Sequence, residues 1–250
     1  MFTWNKKKDE FPSIVNGQIL FNTAAFPWEK LKNILKKEWD ITVTEKNEEN
    51  TLLFSIDNML AACTFFPYQM SVPDYNSDPE FSQLWENNSC LTKDYKSFIS
   101  ITVTNGKSCI ERHKLFTKIA SSICTLNSAL AVFSPSSIIP GEDYRSLAQE
   151  IKYNKLPIFL WVNFGFKMEG DRISAYTNGL CNFNKNDVEI LYSKKSFENI
   201  FDFLFSLSEE IIKYESDMKT FLSYIKLRRR FAFRFSSGAY IKGKTLKISY

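Results

Sequence analysis

The sequence predicts an α+β fold in which a mixed β-sheet is covered by helices that pack mainly on one of its faces. Aromatic residues are abundant, with 23 Phe, 11 Tyr and 5 Trp against 8 Gly, and this balance favours strands over loops. Strand and helix patterns alternate as β-α-β in two parts of the chain, which requires crossover connections and some parallel pairing. The chain could therefore consist of two β-α-β-rich halves.

The period of the apolar residues and the position of turn residues predict each element in order. A period of two predicts strands at residues 17–23, twice within 41–57, and at 59–66, 95–104, 129–134, 157–166, 172–180, 187–192, 225–235 and 243–250. A helical period predicts helices at residues 27–39, 80–90, 108–126, 142–153 and 196–214. Pro27 can open the first helix and Pro67 ends the strand before it. These elements predict a single domain at residues 17–250 behind a flexible tail at residues 1–16, since 250 residues suit one domain.

Residues 157–166 (PIFLWVNFGF) form the most continuously apolar of the predicted strands. A strand without polar alternation is typical of a sheet that is buried on both faces. The next strand, at residues 172–180, would pair with it across the turn at residues 168–171. We therefore expect residues 157–166 at the centre of the sheet.

Cysteine use and hydropathy favour a reducing compartment. The five cysteines form no CxxC pair; they are Cys63, Cys90, Cys109, Cys124 and Cys181. A chain of this length does not need disulfides to fold. No apolar run approaches the roughly 20 residues of a membrane helix, and the N-terminus has no apolar run of the signal-peptide type. The sequence thus predicts a cytoplasmic protein without a membrane span.

Charge is distributed unevenly along the chain. Residues 216–250 contain nine Lys or Arg against one acid and so carry +8, which leaves residues 1–215 at −4 because the whole chain carries +4. The most basic segment interleaves cations with aromatic rings, and its arginines are Arg228, Arg229, Arg230 and Arg234. Proteins that bind single-stranded nucleic acids combine cations that contact phosphates with aromatic rings that stack on bases. An amphipathic strand has the same alternation, with Phe231, Phe233 and Phe235 packed inward and the arginines available to an acidic protein partner. We favour the interpretation of this segment as an amphipathic strand over a nucleic-acid platform.

Two carboxylates precede this basic segment on another predicted strand. Asp187 and Glu189 are two residues apart, which puts both side chains on one face of the strand. They could act as an acid–base pair or bind a cation. A solvated sheet face on which they pair with Lys194 or Lys195 is the favoured interpretation.

Two other segments contain chemically capable residues, but their patterns favour structural roles. His113 follows Cys109 by one helical turn and could act as its base, yet no third group is identifiable, and a single histidine excludes a His-rich metal site. Residues 105–108 (NGKS) are too short to wrap a phosphate. Ser108 is instead expected to cap the helix that follows.

Four segments resemble a bacterial family, domain of unknown function 4261. They are residues 65–73, 97–105, 156–166 and 175–191, and the resemblance would extend over about residues 18–250. The chain has Tyr95 and Phe98 where a His-x-x-His pair is expected, and Asn184 where a glycine is expected. If those histidines serve a reaction, this chain has lost it. Similar proteins are found near secreted-toxin genes, so the resemblance implies an immunity or adaptor role.

These observations lead to the hypothesis of a non-catalytic protein-binding protein, most concretely an immunity protein that binds and neutralises a bacterial toxin or effector. No cofactor or metal is expected. The candidate partner-binding residues are Arg228, Arg229, Arg230, Arg234, Asp187 and Glu189. The alternatives are an enzyme with an unrecognised active site and a nucleic-acid-binding protein that uses the basic C-terminal segment; the oligomeric state is open.

Overall fold

The computed structural model describes residues 14–44, 48–69, 95–134, 137–214, 220–221 and 231–250. The helices of these ranges are α1 (Trp28–Trp39), α2 (Cys109–Ile123), α3 (Gly141–Ala148), α4 (Ile158–Trp161) and α5 (Phe197–Lys213), with 3-10 turns at Gln149–Tyr153 and Leu180–Phe183. The strands are β1 (Ile14–Phe21), β2 (Thr51–Ile56), β3 (Met59–Phe66), β4 (Ser97–Asn105), β5 (Ala129–Ser134), β6 (Ser137–Pro140), β7 (Asn163–Glu169), β8 (Arg172–Asn178), β9 (Val188–Ser193), β10 (Ala232–Ser237) and β11 (Lys244–Ser249). The predicted α+β class is confirmed.

The strands form two sheets, whereas the sequence predicted one. The first sheet has the order β2-β3-β4-β1-β5-β6 and is antiparallel throughout. The second has the order β10-β11-β9-β8-β7 and is mixed, because β9 and β11 run parallel. Each sheet collects the strands of one half of the chain. The crossover through α2 connects β4 and β5, which run in the same direction but lie on either side of β1. The predicted crossover is therefore present in the first sheet, but the two strands that it connects do not pair with each other.

Helices on the inner side of both sheets close one contiguous core. In the first half, α2 packs on β1 and β4 and also contacts α1 and α3. In the second half, α5 packs on β8, and α2 reaches the 3-10 turn that follows β8. Fully buried residues from both halves, such as Ile101 and Leu204, belong to this core. The junction between the halves is therefore built around α2.

The prediction for residues 157–166 is wrong in two respects. Residues Ile158–Trp161 form the short helix α4 after Pro157, and the strand begins only at Asn163. Moreover, β7 is an edge strand of the second sheet. A short apolar run cannot be assigned to helix or strand by its periodicity. These residues are apolar because α4 is buried at the junction of the two halves.

Other boundaries also differ from the predicted ones. The first strand begins at Ile14, inside the range predicted as a tail, and no strand forms at residues 41–44. The helix predicted at residues 80–90 lies outside the described residues. None of the described helices is both long and apolar enough to cross a lipid bilayer.

Candidate functional site

A row of five residues crosses the second sheet from edge to edge. Arg234 on β10 pairs with Lys247 on β11, which pairs with Glu189 on β9; Glu189 pairs with Tyr176 on β8, which pairs with Gly165 on β7. Directly paired residues project from the same face of a sheet. The opposite face packs against α5. We call these five residues the polar row and the surface that they form the polar face.

Glu189 lies at the centre of the polar row and is fully buried, with 0% exposure. The amides of residues 239–241 donate to its Oε1 at 3.0, 2.9 and 3.1 Å. Its Oε2 accepts a hydrogen bond from Thr245 Oγ1 at 3.1 Å and forms an ion pair with the ammonium of Lys247. Three amides, a hydroxyl and an ammonium thus compensate one buried carboxylate.

The three backbone donors to Glu189 come from a loop that folds over the polar face. Gly238 donates its amide to the carbonyl of Gly243 at 2.8 Å and so closes the loop. A Cβ at Gly238 would lie 1.7 Å from the carbonyl oxygen of Ile241, and Gly243 has φ +97°, so both positions require glycine. Tyr240 from the loop stacks on Tyr176 of the polar row at 5.4 Å. We call residues 238–243 the latch loop.

The interpretation of Asp187 and Glu189 as a solvated face is wrong, because both carboxylates are buried. Asp187 Oδ1 accepts hydrogen bonds from Thr177 Oγ1 at 2.9 Å and from the amide of Leu180 at 3.0 Å, and burial raises its pKa. The predicted pairing with Lys194 or Lys195 is not formed. The partners of Glu189 belong to the C-terminal segment, which strand periodicity around residue 189 does not reveal.

The backbone of β10 presents one hydrogen-bonding edge away from the sheet. Leu246 donates its amide toward β9 at 2.8 Å, so its neighbour Lys247 is directed toward β10, where Arg234 is its partner. Hydrogen-bonding direction alternates along a strand. The amide and carbonyl groups of Phe233 and Phe235 therefore point outward, and within the described ranges no strand pairs with them.

Exposed cations lie on β10, in the latch loop and at the start of β11. Arg234, Lys242 and Lys244 are exposed, and residues 231–250 contain no acidic residue. The predicted amphipathic alternation is confirmed from Phe231 onward, since the phenylalanines are half-buried against the core while Arg234 faces solvent. Arg228, Arg229 and Arg230, which precede β10 in sequence, lie outside the described residues.

The polar face includes residues that the sequence analysis did not single out. Lys247 and Thr245 are buried beside Glu189. The amides of residues 239–241 are backbone groups, so no residue type in the sequence indicates their role. The two glycines that bracket the latch loop, followed by alternating polar residues in β11, are the only signal that could have indicated them.

The possible Cys109–His113 dyad is not assembled. His113 Nδ1 lies 2.8 Å from the carbonyl oxygen of Cys109, and the Cys109 thiol accepts from Arg112 at 3.2 Å. Burial lowers the pKa of His113 to about 4, so the ring is neutral at pH 7. Ser108 caps α2 as predicted, accepting from the amide of Glu111 at 3.1 Å. Among the described residues, no group of three His, Cys, Asp or Glu side chains could hold a metal ion.

Comparison of the chain with protein-family models, with curated proteins and with solved structures gives no match. The resemblance to domain of unknown function 4261 therefore stays a prediction. The functional argument depends on the geometry of the polar face and of the β10 edge.

Proposed function

We propose that this chain is a non-catalytic protein-binding protein that captures an extended, acidic segment of a partner along β10. The observation that carries the proposal is the outward-facing backbone at Phe233 and Phe235 beside exposed Arg234 and Lys244. An extended peptide can add a strand to such an edge through main-chain hydrogen bonds. Acidic side chains on that strand would lie close to the cations and select the partner.

The distribution of rings and cations on β10 supports a protein partner over a nucleic acid. A platform for single-stranded nucleic acid needs exposed rings that stack on bases beside cations that bind phosphates. Here the rings of Phe233 and Phe235 pack against the core, on the face opposite to Arg234. The cations can attract an anionic chain, but both rings are half-buried and Lys244 Nζ lies over the Phe235 ring at 5.4 Å, so they offer little free area for stacking on bases.

The buried carboxylates support this surface without contacting the partner. Glu189 fastens the latch loop and Lys247 of β11, and β11 holds β10 in register. A rigid edge loses little conformational entropy when a second strand docks. In this proposal Arg234 contacts the partner, whereas Asp187 and Glu189 position the strands behind it.

The finer proposal is an immunity protein, the role that the family resemblance implies. Its partner would be a bacterial toxin that carries an acidic extended segment at or next to its active site. Capture of that segment along β10 would place the body of this chain over the toxin's active site and block it. Charge would mainly accelerate the encounter, and the paired backbone would hold the complex.

Binding of a designed strand tests the proposal without knowledge of the natural partner. The probe is a fluorescent eight-residue peptide of alternating Glu and Thr, compared by anisotropy with a Lys–Thr peptide and with an oligo-dT of equal length. We expect the acidic peptide alone to bind at physiological salt. Submicromolar binding of oligo-dT that weakens steeply with salt would instead support the nucleic-acid alternative.

A matched pair of charge reversals localises the binding. Arg234→Glu should weaken binding of the acidic peptide by about tenfold, or about 1.4 kcal/mol, since it replaces an attractive charge at the edge with a repulsive one. Lys30→Glu makes the same charge change on exposed α1 and should leave the affinity within about twofold. Equal effects of the two reversals would show that only net charge matters and would contradict docking at β10.

A further inference from the structure

A cavity of about 60 Å³ lies at the junction of the two halves of the chain. It is bounded by the start of β1, by β5 and β6, and by the helices α2, α3 and α4. Its wall is partly aromatic, with Phe116 and Trp161, and its polar groups include His113 and Tyr144. No described residue that lines it carries a charge at neutral pH, because His113 is neutral there. None of its lining residues belongs to β10 or to the polar row, so the inference below is independent of the proposed function.

His113 presents a hydrogen-bond acceptor to this cavity. A backbone carbonyl can only accept, so the 2.8 Å contact with the Cys109 carbonyl places the ring proton on Nδ1. The neutral ring then carries a lone pair on Nε2, which has no hydrogen-bond partner among the described residues. Phe183 stacks on the ring at 4.1 Å and Trp161 meets it edge-on at 5.7 Å. The acceptor is therefore held in a fixed position.

Tyr144 supplies the second fixed polar group. Its side chain is buried, and burial raises the pKa of its hydroxyl, whereas the neighbouring Thr117 hydroxyl lowers it. The Thr117 hydroxyl in turn accepts from Trp161 Nε1 at 2.9 Å. The hydroxyl of Tyr144 thus lies beside a buried hydrogen bond and keeps its proton at neutral pH, and it can donate that proton to a molecule in the cavity.

We propose that this cavity binds a small, uncharged, planar molecule that donates a hydrogen bond to Nε2 of His113 and accepts one from the hydroxyl of Tyr144. The volume limits the size to a small molecule: about 60 Å³ exceeds the roughly 10–15 Å³ that one ordered water needs and leaves room for a single small ring. The uncharged wall favours an uncharged molecule, since an ion would lose its hydration here without gaining a counter-charge. A five-membered azole ring, with one N–H donor and one nitrogen acceptor, has this size and pattern.

The single histidine of the chain makes the test specific. The full-length protein, labelled with ¹⁵N only in histidine, is titrated with pyrazole, pyrrole and furan. These rings have nearly the same size, but pyrrole has only the donor and furan has no donor. We expect pyrazole and pyrrole to shift the Nε2 resonance and furan to leave it unchanged, with pyrazole binding more tightly than pyrrole. A dissociation constant of about 1 mM or lower is expected for a five-atom ring.

Two variants separate the polar contacts from the shape of the cavity. His113→Phe keeps a ring next to Phe183 but removes the acceptor, so pyrazole affinity measured by saturation-transfer NMR should fall about tenfold. Tyr144→Phe removes only the hydroxyl and should reduce pyrazole affinity to that of pyrrole. Equal binding of furan and pyrazole, or no binding of pyrazole well above 1 mM, would overturn the proposal. If His113→Phe does not fold, the resonance shifts of the unmodified protein and the Tyr144→Phe comparison decide.

Discussion

Replacement of Glu189 by glutamine tests whether a buried carboxylate fastens the latch loop and the β10–β11 ribbon to the second sheet. Glutamine has nearly the same shape, and its carbonyl oxygen can still accept from the amides of residues 239–241. The NH2 of its side-chain amide, however, cannot accept the hydrogen bond from Thr245 or neutralise the charge of Lys247, whose side chain is only 8% exposed. The substitution therefore leaves a buried ammonium without its counter-ion.

The expected loss of stability is large for a single isosteric change. Removal of one partner of a buried ion pair costs about 3–5 kcal/mol, so we expect the free energy of unfolding to fall by about 4 kcal/mol. For a chain of this length, each kcal/mol lowers Tm by about 2–4 °C, which gives about 8–16 °C. Urea unfolding followed by circular dichroism measures the change in free energy, and an unaltered m-value shows that unfolding remains two-state.

Two further variants assign the loss to the pair. Glu198→Gln makes the same chemical change on the exposed first turn of α5 and should lower Tm far less than Glu189→Gln does, because the Glu198 carboxylate stays in water. Lys247→Met leaves the Glu189 carboxylate with its amide and hydroxyl donors, and the double variant should be less destabilised than the sum of the single ones by about 2 kcal/mol. A Tm for Glu189→Gln within about 2 °C of the parent, or strictly additive losses in the double variant, would refute this reasoning.

Three more predictions concern buried groups elsewhere. Burial lowers the pKa of His113 from 6.5 to about 4, so as pH falls the unfolded chain takes up a proton before the folded protein does. Between pH 7 and 4.5 the free energy of unfolding of the parent should therefore fall by about 2–3 kcal/mol more than that of His113→Phe, as measured by urea unfolding. Asp187→Ala leaves the buried amide of Leu180 without its acceptor and should cost about 1–3 kcal/mol, whereas Asp187→Asn keeps the acceptor and should cost less; equal losses would contradict the role of that bond. Gly165→Ala places a Cβ 2.0 Å from the Tyr176 ring, so it should lower the free energy of unfolding by about 1–3 kcal/mol. The loss should be smaller in a Tyr176→Leu background, and an equal loss there would show that this clash is not the cause.

Local signals in the sequence were sufficient for most elements and for one side of the candidate site. The Ser108 cap and the alternation of Phe233, Arg234 and Phe235 were predicted from neighbouring residues alone, since caps and strand faces depend on short-range periodicity. These predictions agree with the structure.

Features that depend on long-range packing could not be predicted in the same way. The burial of Glu189 depends on loop amides and on Lys247, all near the C-terminus. The helical turn at Ile158–Trp161 depends on its position between the two halves, where helix and strand are equally compatible with an apolar run. The cavity beside His113 arises from elements of both halves, and no single segment encodes it.

Amide hydrogen exchange along β10 tests the proposed capture of an acidic strand most directly. In the free protein, the amides of Phe233 and Phe235 should exchange rapidly because they point outward, while that of Arg234, directed toward β11, should be protected. Saturation with the alternating Glu–Thr peptide should slow exchange at Phe233 and Phe235 and leave Arg234 unchanged. If the peptide binds while both outward amides keep their fast exchange, the partner strand does not dock on β10 and the proposed mode of binding is wrong.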